Sequence, residues 1–225
     1  MFARGNAREK ARVRAFEREP RGAVVDLYAG IGYFALAYAR RGFGPVVCFE
    51  VNPWSVEGLR RGCVANGHSY KIFTREDMWG WDEEFEREGG GERRRDVYIF
   101  LLSNTHAWPL LAPQIPFLPP IRHVNLGLLP TSRDIWRDAV RLVGREGGWV
   151  HAHENVGVTE VEERRAEVEM VFQGWVDEMD RVDGKVVDRV GRKAQVRHVE
   201  RVKMYAPGVV HCVFDVWVDG MGKEE

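Results

Sequence analysis

The chain has 225 residues, a formal net charge of -1 at pH 7, 44% hydrophobic and 30% charged residues. That length holds one α/β domain with a substantial core, and a near-neutral balance excludes a global field that draws in nucleic acid. No apolar run reaches membrane-spanning length, and the three cysteines (Cys48, Cys63, Cys212) have neither disulfide-framework nor zinc-ligand spacing, so a cytoplasmic protein without a metal is expected.

Charge is uneven along the chain. Residues 1 to 21 carry seven Arg/Lys against three Glu, and residues 192 to 203 carry five against Glu200, two basic patches that suit a local polyanion contact. Residues 1 to 21 read as a basic helical segment leading into the first strand. Gly22 to Leu27 is a short apolar run ending in Tyr28-Ala29-Gly30-Ile31-Gly32, and Phe34 to Arg41 follows at helical spacing until Gly42. The pattern predicts strand, tight loop and helix. Gly30 and Gly32 let a ligand approach the backbone, and the helix N-terminus adds N–H groups and a positive dipole end.

A second strand, Val46 to Phe49, ends in Glu50, 24 residues after Asp26. A carboxylate there can accept both hydroxyls of a ribose. Phe34 and Ala35 occupy the place where a dinucleotide fingerprint needs its third glycine. The Asp-x-x-x-Gly-x-Gly pattern instead resembles the first motif of class I S-adenosylmethionine (SAM)-dependent transferases.

Asn52 is a good N-cap and Pro53 suits the first helical position, so a helix is predicted from about Pro53 to Asn66, with Val56, Leu59 and Cys63 buried and Gly67 as its stop. Tyr70 to Thr74 is a third strand. Asp77, just after it, can accept from an adenine amino group or cap its own turn. After a charged loop, residues 97 to 121 contain no Asp, Glu, Lys or Arg and hold five of the ten prolines. Three readings stand for this atypical insertion: an apolar substrate-facing or partner-binding element, a disordered loop, or retained intron sequence whose removal joins Asp96 to Arg122.

His123 to Pro130 is read as a fourth strand and its exit loop, with Asn125 and Gly-Leu-Leu-Pro facing the transferred group. Thr131 to Asp134 resembles a capping box before a helix carrying Ile135, Ala139 and Leu142 or Val143. Gly148 to Asn155 is a fifth strand with His151 and His153 on one side, where a metal pair is the minor reading; Glu154 and Asn155 suit ligand contact better. Val158 to Val182 is a long amphipathic helix with Val161, Val168, Phe172, Trp175 and Met179 as its core stripe. Gln195 to Tyr205 and Val209 to Val218, joined at Ala206-Pro207-Gly208, form a terminal antiparallel hairpin. The fold class is therefore α/β, a Rossmann-like class I SAM-dependent transferase sheet, mostly parallel with that hairpin at its end. The expected catalytic domain is 22 to 220, interrupted by the insertion 97 to 121; a part for residues 1 to 21 in the SAM site is implied only by the family resemblance that the following motifs carry.

Met-Phe-Ala-Arg-Gly-Asn with Glu9-Lys10, the Asp26 to Phe34 loop, Glu50 with Asn52-Pro53, Asn125 to Pro130, His151 to Asn155 and His198 to Pro207 together resemble the tRNA wybutosine-synthesizing protein 2 family. The resemblance implies transfer of the 3-amino-3-carboxypropyl group of SAM to C7 of 4-demethylwyosine at position 37 of tRNA-Phe, at the anticodon loop; a monomer is the separate expectation. The resemblance maps the donor site onto Ala3, Lys10, Glu50, Asp77 and Met78, to which the loop reading adds Asp26, Gly30 and Gly32. Ala3 stands where the family has Ser, and Met78 where it has Asn. Asn125 and Lys10 are the implied positioning groups for the substrate edge and the donor carboxylate. The related tRNA guanosine-37 N1-methyltransferase is the rival activity; a non-catalytic or truncated SAM-fold module, lacking the family's upstream RNA-binding region, is the rival of another class.

Overall fold

A computed structural model describes residues 22–77, 95–144, 146–182, 185–186 and 191–221. Ala3, Lys10, Met78 and the N-terminal basic segment lie outside the described residues. The chain forms two compact units that meet in sequence at Ile121.

In the first unit, β1 (Ala23–Asp26) and β2 (Val46–Phe49) are parallel and joined through α1 (Ala35–Arg40). All four residues of each strand are buried, as a fully covered parallel strand requires. Gly42, at φ 77°, follows α1. Helix α2 (Pro53–Asn66) has the predicted ends: Asn52 accepts a 2.9 Å bond from the Trp54 N–H, and Gly67 adopts φ 71°. Strand β3 (Tyr70–Phe73) follows.

The uncharged stretch is not a structureless connection. Val97–Phe100 is β4, wholly buried and paired in parallel with both β2 and β3, giving the order β3-β4-β2-β1 in this unit. Phe100 stacks between Phe49 and Phe73, with 5.0 Å between ring centroids on each side. A short apolar run with no charge gains most by entering the core as a strand, and this one does. The disordered-loop reading of residues 97 to 121 is thereby corrected. Joining Asp96 directly to Arg122 would leave β2 and β3 without their shared neighbour. Ser103 caps a 3-10 turn, α3 (Ala107–Leu111) follows, and Pro109 lies in its first turn, where no helical hydrogen bond is lost.

The second unit begins with β5 (Ile121–Leu126), then α4 (Trp136–Val143), β6 (Gly148–Gly157) and α5 (Val161–Met179). A two-residue pair, β7 (Arg181–Val182) and β8 (Lys185–Val186), precedes the hairpin of β9 (Ala194–Ala206) and β10 (Val209–Val218). The order is β5-β6-β10-β9, with β5 and β6 parallel and the last two pairings antiparallel. Of the predicted capping box, the Thr131 hydroxyl does accept from a backbone N–H, that of Arg133 at 3.2 Å. Ser132 caps no N–H; its hydroxyl accepts from the Trp136 indole at 3.0 Å. In α5 the buried stripe is Val161, Val168, Phe172 and Val176; Trp175 and Met179, both expected in it, are half-buried, Trp175 with the Arg137 guanidinium 5.6 Å from its ring.

Candidate functional site

The glycine loop and Glu50 form one unit of structure. Glu50 Oε2 accepts from the Gly30 N–H at 2.8 Å, and its Oε1 accepts from the Asn52 N–H at 2.8 Å. One carboxylate thus ties the β1 loop to the start of α2. Each oxygen keeps a further lone pair, as ribose recognition needs. Gly30 and Gly32 sit at φ 54° and φ 87°. A Cβ on Gly30 would meet nothing within 4 Å, whereas one on Gly32 would come to 2.3 Å from Leu59 Cδ1 in the core. The first glycine leaves open space over the loop; the second lets α2 pack against it.

Asp26, at the end of β1, is fully buried. Its Oδ1 accepts from the Tyr28 N–H at 3.3 Å, and its Oδ2 has no partner among the described residues. Burial, with Glu50's charge added, raises this carboxyl to about 7. A buried acid half-ionised at neutral pH suits a cationic ligand that favours the anion. Asn104, which sequence reasoning missed, donates 3.0 Å to the Leu27 carbonyl and braces the exit of β1. Only its place after a buried strand hinted at this. Asp77 is exposed and closes the turn after β3, its Oδ2 accepting from the Thr74 N–H at 3.1 Å and hydroxyl at 2.8 Å. Those bonds hold the acid below the usual carboxylate range. The structure therefore brings together Asp26, Gly30, Gly32 and Glu50 and shows Asp77 in its capping role.

In the second unit, Asn125 lies near the carboxyl end of β5, 2% exposed, and its Nδ2 has no partner among the described residues. Leaving a buried amide donor unpaired costs roughly 1–3 kcal/mol, which a ligand acceptor would recover. The loop after β5 is tied down by Glu154: its Oε1 accepts from the Thr131 hydroxyl and its Oε2 from Arg164 at 3.3 Å. Burial raises the Glu154 carboxyl against these partners. Glu154, expected at the ligand, instead holds the loop. Asn155 is half-buried, and its N–H donates 2.9 Å to the Pro130 carbonyl.

His151 and His153 are committed to protein partners. His151 Nδ1 lies 2.7 Å from Asp215 Oδ1 and its Nε2 3.1 Å from His123 Nδ1, while His153 Nδ1 lies 3.0 Å from His211 Nε2. A carboxylate only accepts, so His151 Nδ1 donates to Asp215. Among the described residues no group of three or more His, Cys, Asp or Glu could hold a metal ion.

A glycine loop fastened to an acid at the next strand's end, on parallel strands completed by an antiparallel hairpin, is the fold of class I SAM-dependent transferases. The TYW2 of M. jannaschii, in complex with AdoMet, superposes with a TM-score of 0.64 over 97% of this chain and 78% of that one, at 20% identity. M. jannaschii tRNA m1G37 methyltransferase does so with a TM-score of 0.61 over 97% and 49%, at 16% identity. The family model of the TRM5/TYW2 methyltransferase domain matches residues 1–88.

Across nearly its whole length the chain is similar to proteins named tRNA wybutosine-synthesizing protein 2. It is 35% identical over 217 residues to that protein of Schizosaccharomyces pombe, covering 96% of this chain and 46% of the relative. Against the Saccharomyces cerevisiae protein it is 34% identical over 230 residues, covering 96% and 44%. The chain thus spans about half the length of the curated relatives it matches.

Proposed function

We propose that this chain is the SAM-dependent catalytic part of a tRNA 4-demethylwyosine aminocarboxypropyltransferase. The observation that carries the reading is the 35% identity to a wybutosine-synthesizing protein over 96% of the chain. The loop geometry supports SAM as co-substrate: Glu50 has lone pairs left for the ribose hydroxyls, Gly30 leaves room above the backbone, and Asp26 supplies negative charge near neutral pH.

Bound SAM supplies a sulfonium with three electrophilic carbons and a leaving group that needs no further activation. The chain's own task is orientation. Glu50 holds the ribose, Asp77 takes the adenine amino group in exchange for part of its turn contacts, and Ala3 and Met78 contribute backbone contacts. Lys10 holds the donor carboxylate, and Asn125 offers its amide N–H to the edge of the acceptor base. C7 of 4-demethylwyosine then bonds to the first carbon of the aminocarboxypropyl chain, the carbon–sulfur bond breaks with its electrons going to sulfur to release methylthioadenosine, and C7 loses its proton to water. The partner is the anticodon loop of tRNA-Phe, met by a monomer in the cytoplasm without a metal.

Chromatography of the small co-product tests this. With tRNA-Phe carrying 4-demethylwyosine, methylthioadenosine is expected. S-adenosylhomocysteine would assign methyl transfer instead, and binding of SAM with neither product would make the chain a non-catalytic module.

A further inference from the structure

Strand β9 is the edge of its unit, and the register Val209↔Gly157 places the Ala206-Pro207-Gly208 turn at the carboxyl end of β6, the end at which β5 delivers Leu126. Ligands of open α/β sheets are met at that end. The Val158 N–H donates 3.0 Å to the Gly208 carbonyl, so the turn is anchored to the loop after β6.

The outer residues of β9 mix charge with exposed apolar surface. Met204 is 58% and Tyr205 57% exposed, and Lys203 beside them is exposed too. Arg197, farther along the strand, rests its guanidinium 4.8 Å above the Trp217 ring and 5.6 Å from that of Trp149. Arg201 adds a third cation on the same strand. Arg192, by contrast, is not available to this surface: it is buried, paired with Asp180 at 2.6 Å and donating to the Gly144 carbonyl at 3.1 Å. The basic patch read along residues 192 to 203 therefore shifts toward the hairpin turn. Three register shifts between β9 and β10 bend this edge, and its cations repel a second copy of the same edge. A polyanion carrying flat bases fits the combination: cations for phosphates and an exposed ring for a base.

Resting on the tRNA reading above, we infer that the β9 tip is a nucleotide platform. Tyr205 stacks on a base flanking the modified position, Lys203 and Arg201 contact the phosphates on either side, and Met204 lines the platform's edge.

The test is the anisotropy of fluorescent tRNA-Phe titrated with the chain as given, as wild type, Tyr205→Ala, Lys203→Ala and, on the exposed face of α5, Met170→Ala. SAM titration calorimetry on each verifies the fold. Tyr205→Ala is expected to weaken tRNA binding about tenfold with little change in salt dependence, since stacking carries no counterion. Lys203→Ala is expected to lower the slope of log affinity against log salt by about 1. Met170→Ala should bind as wild type. If wild type binds and modifies tRNA while Tyr205→Ala and Lys203→Ala bind it equally well, the platform is overturned and the transferase reading stands. Wild type without tRNA affinity overturns both. A concentration-dependent dimer that Lys203→Ala and Tyr205→Ala abolish would give the edge to a second copy and likewise overturn the platform.

Discussion

The glycine loop with Glu50 and the buried face of β5, β6 and β10 both place polar groups out of solvent, but they satisfy them over different distances along the chain. In the loop, Asp26 is met by a backbone two residues away and Glu50 by one 20 residues away. On the sheet face, His123 and His151 are 28 residues apart, His153 and His211 are 58, and His151 and Asp215 are 64. Local partners make a site that a short motif can encode. Distant partners make a layer that exists only once the strands have found their register.

The two regions should therefore fail differently. Gly32→Ala is expected to cost the most, about 3 kcal/mol of stability, because φ 87° disfavours any side chain and a Cβ there would come 2.3 Å from Leu59 Cδ1, forcing that side chain to shift. Gly30→Ala, with φ 54° and open space, should cost about 1 kcal/mol by the same chemical denaturation. Equal losses would break the distinction between the two glycines. Glu50→Ala, which frees the Gly30 and Asn52 N–H groups and removes the ribose acceptor, should weaken SAM binding about 100-fold, roughly 3 kcal/mol by calorimetry. Asp215→Ala should do the reverse: lose about 2 kcal/mol of stability by taking the carboxylate from His151 Nδ1, with SAM affinity unchanged. Loss of SAM affinity in that variant would show that the histidine layer serves the donor site.

Smaller effects follow pH. The Asp26 carboxyl is raised to about 7, and a bound sulfonium favours its anion, so SAM affinity should rise about tenfold from pH 6 to pH 8 and then level off. Asp26→Asn should flatten that profile. For the unliganded protein the sign is opposite. The raised carboxyl favours the fold while protonated, and that contribution fades as pH rises from the unfolded value through 7. His211 behaves otherwise: burial, then Lys203, pulls its imidazole down to about 4, so its contribution holds above pH 6.5 and is lost as pH falls toward 4.

The same difference decides what could be read beforehand. Asn52, Pro53 and Gly67 bound α2 through contacts within a turn, and they were legible to the residue. Glu50 was legible as an acid at a strand end, though its hold on the Gly30 N–H was not. Val97–Phe100 was obscured by the proline-rich run behind it, because strand order depends on which neighbours leave a gap. Arg192 looked like surface charge until Asp180 and the Gly144 carbonyl enclosed it. His151 and His153 suggested a metal pair only while Asp215, His123 and His211 were far away in sequence.

The measurement that bears most directly on the proposed chemistry is a paired labelling experiment on tRNA-Phe bearing 4-demethylwyosine. SAM is labelled either in its methyl group or in its carboxyl carbon, and label in the RNA is counted. Label entering from the carboxyl carbon and not from the methyl is the predicted result. Label entering only from the methyl group would contradict it and make this chain a tRNA methyltransferase.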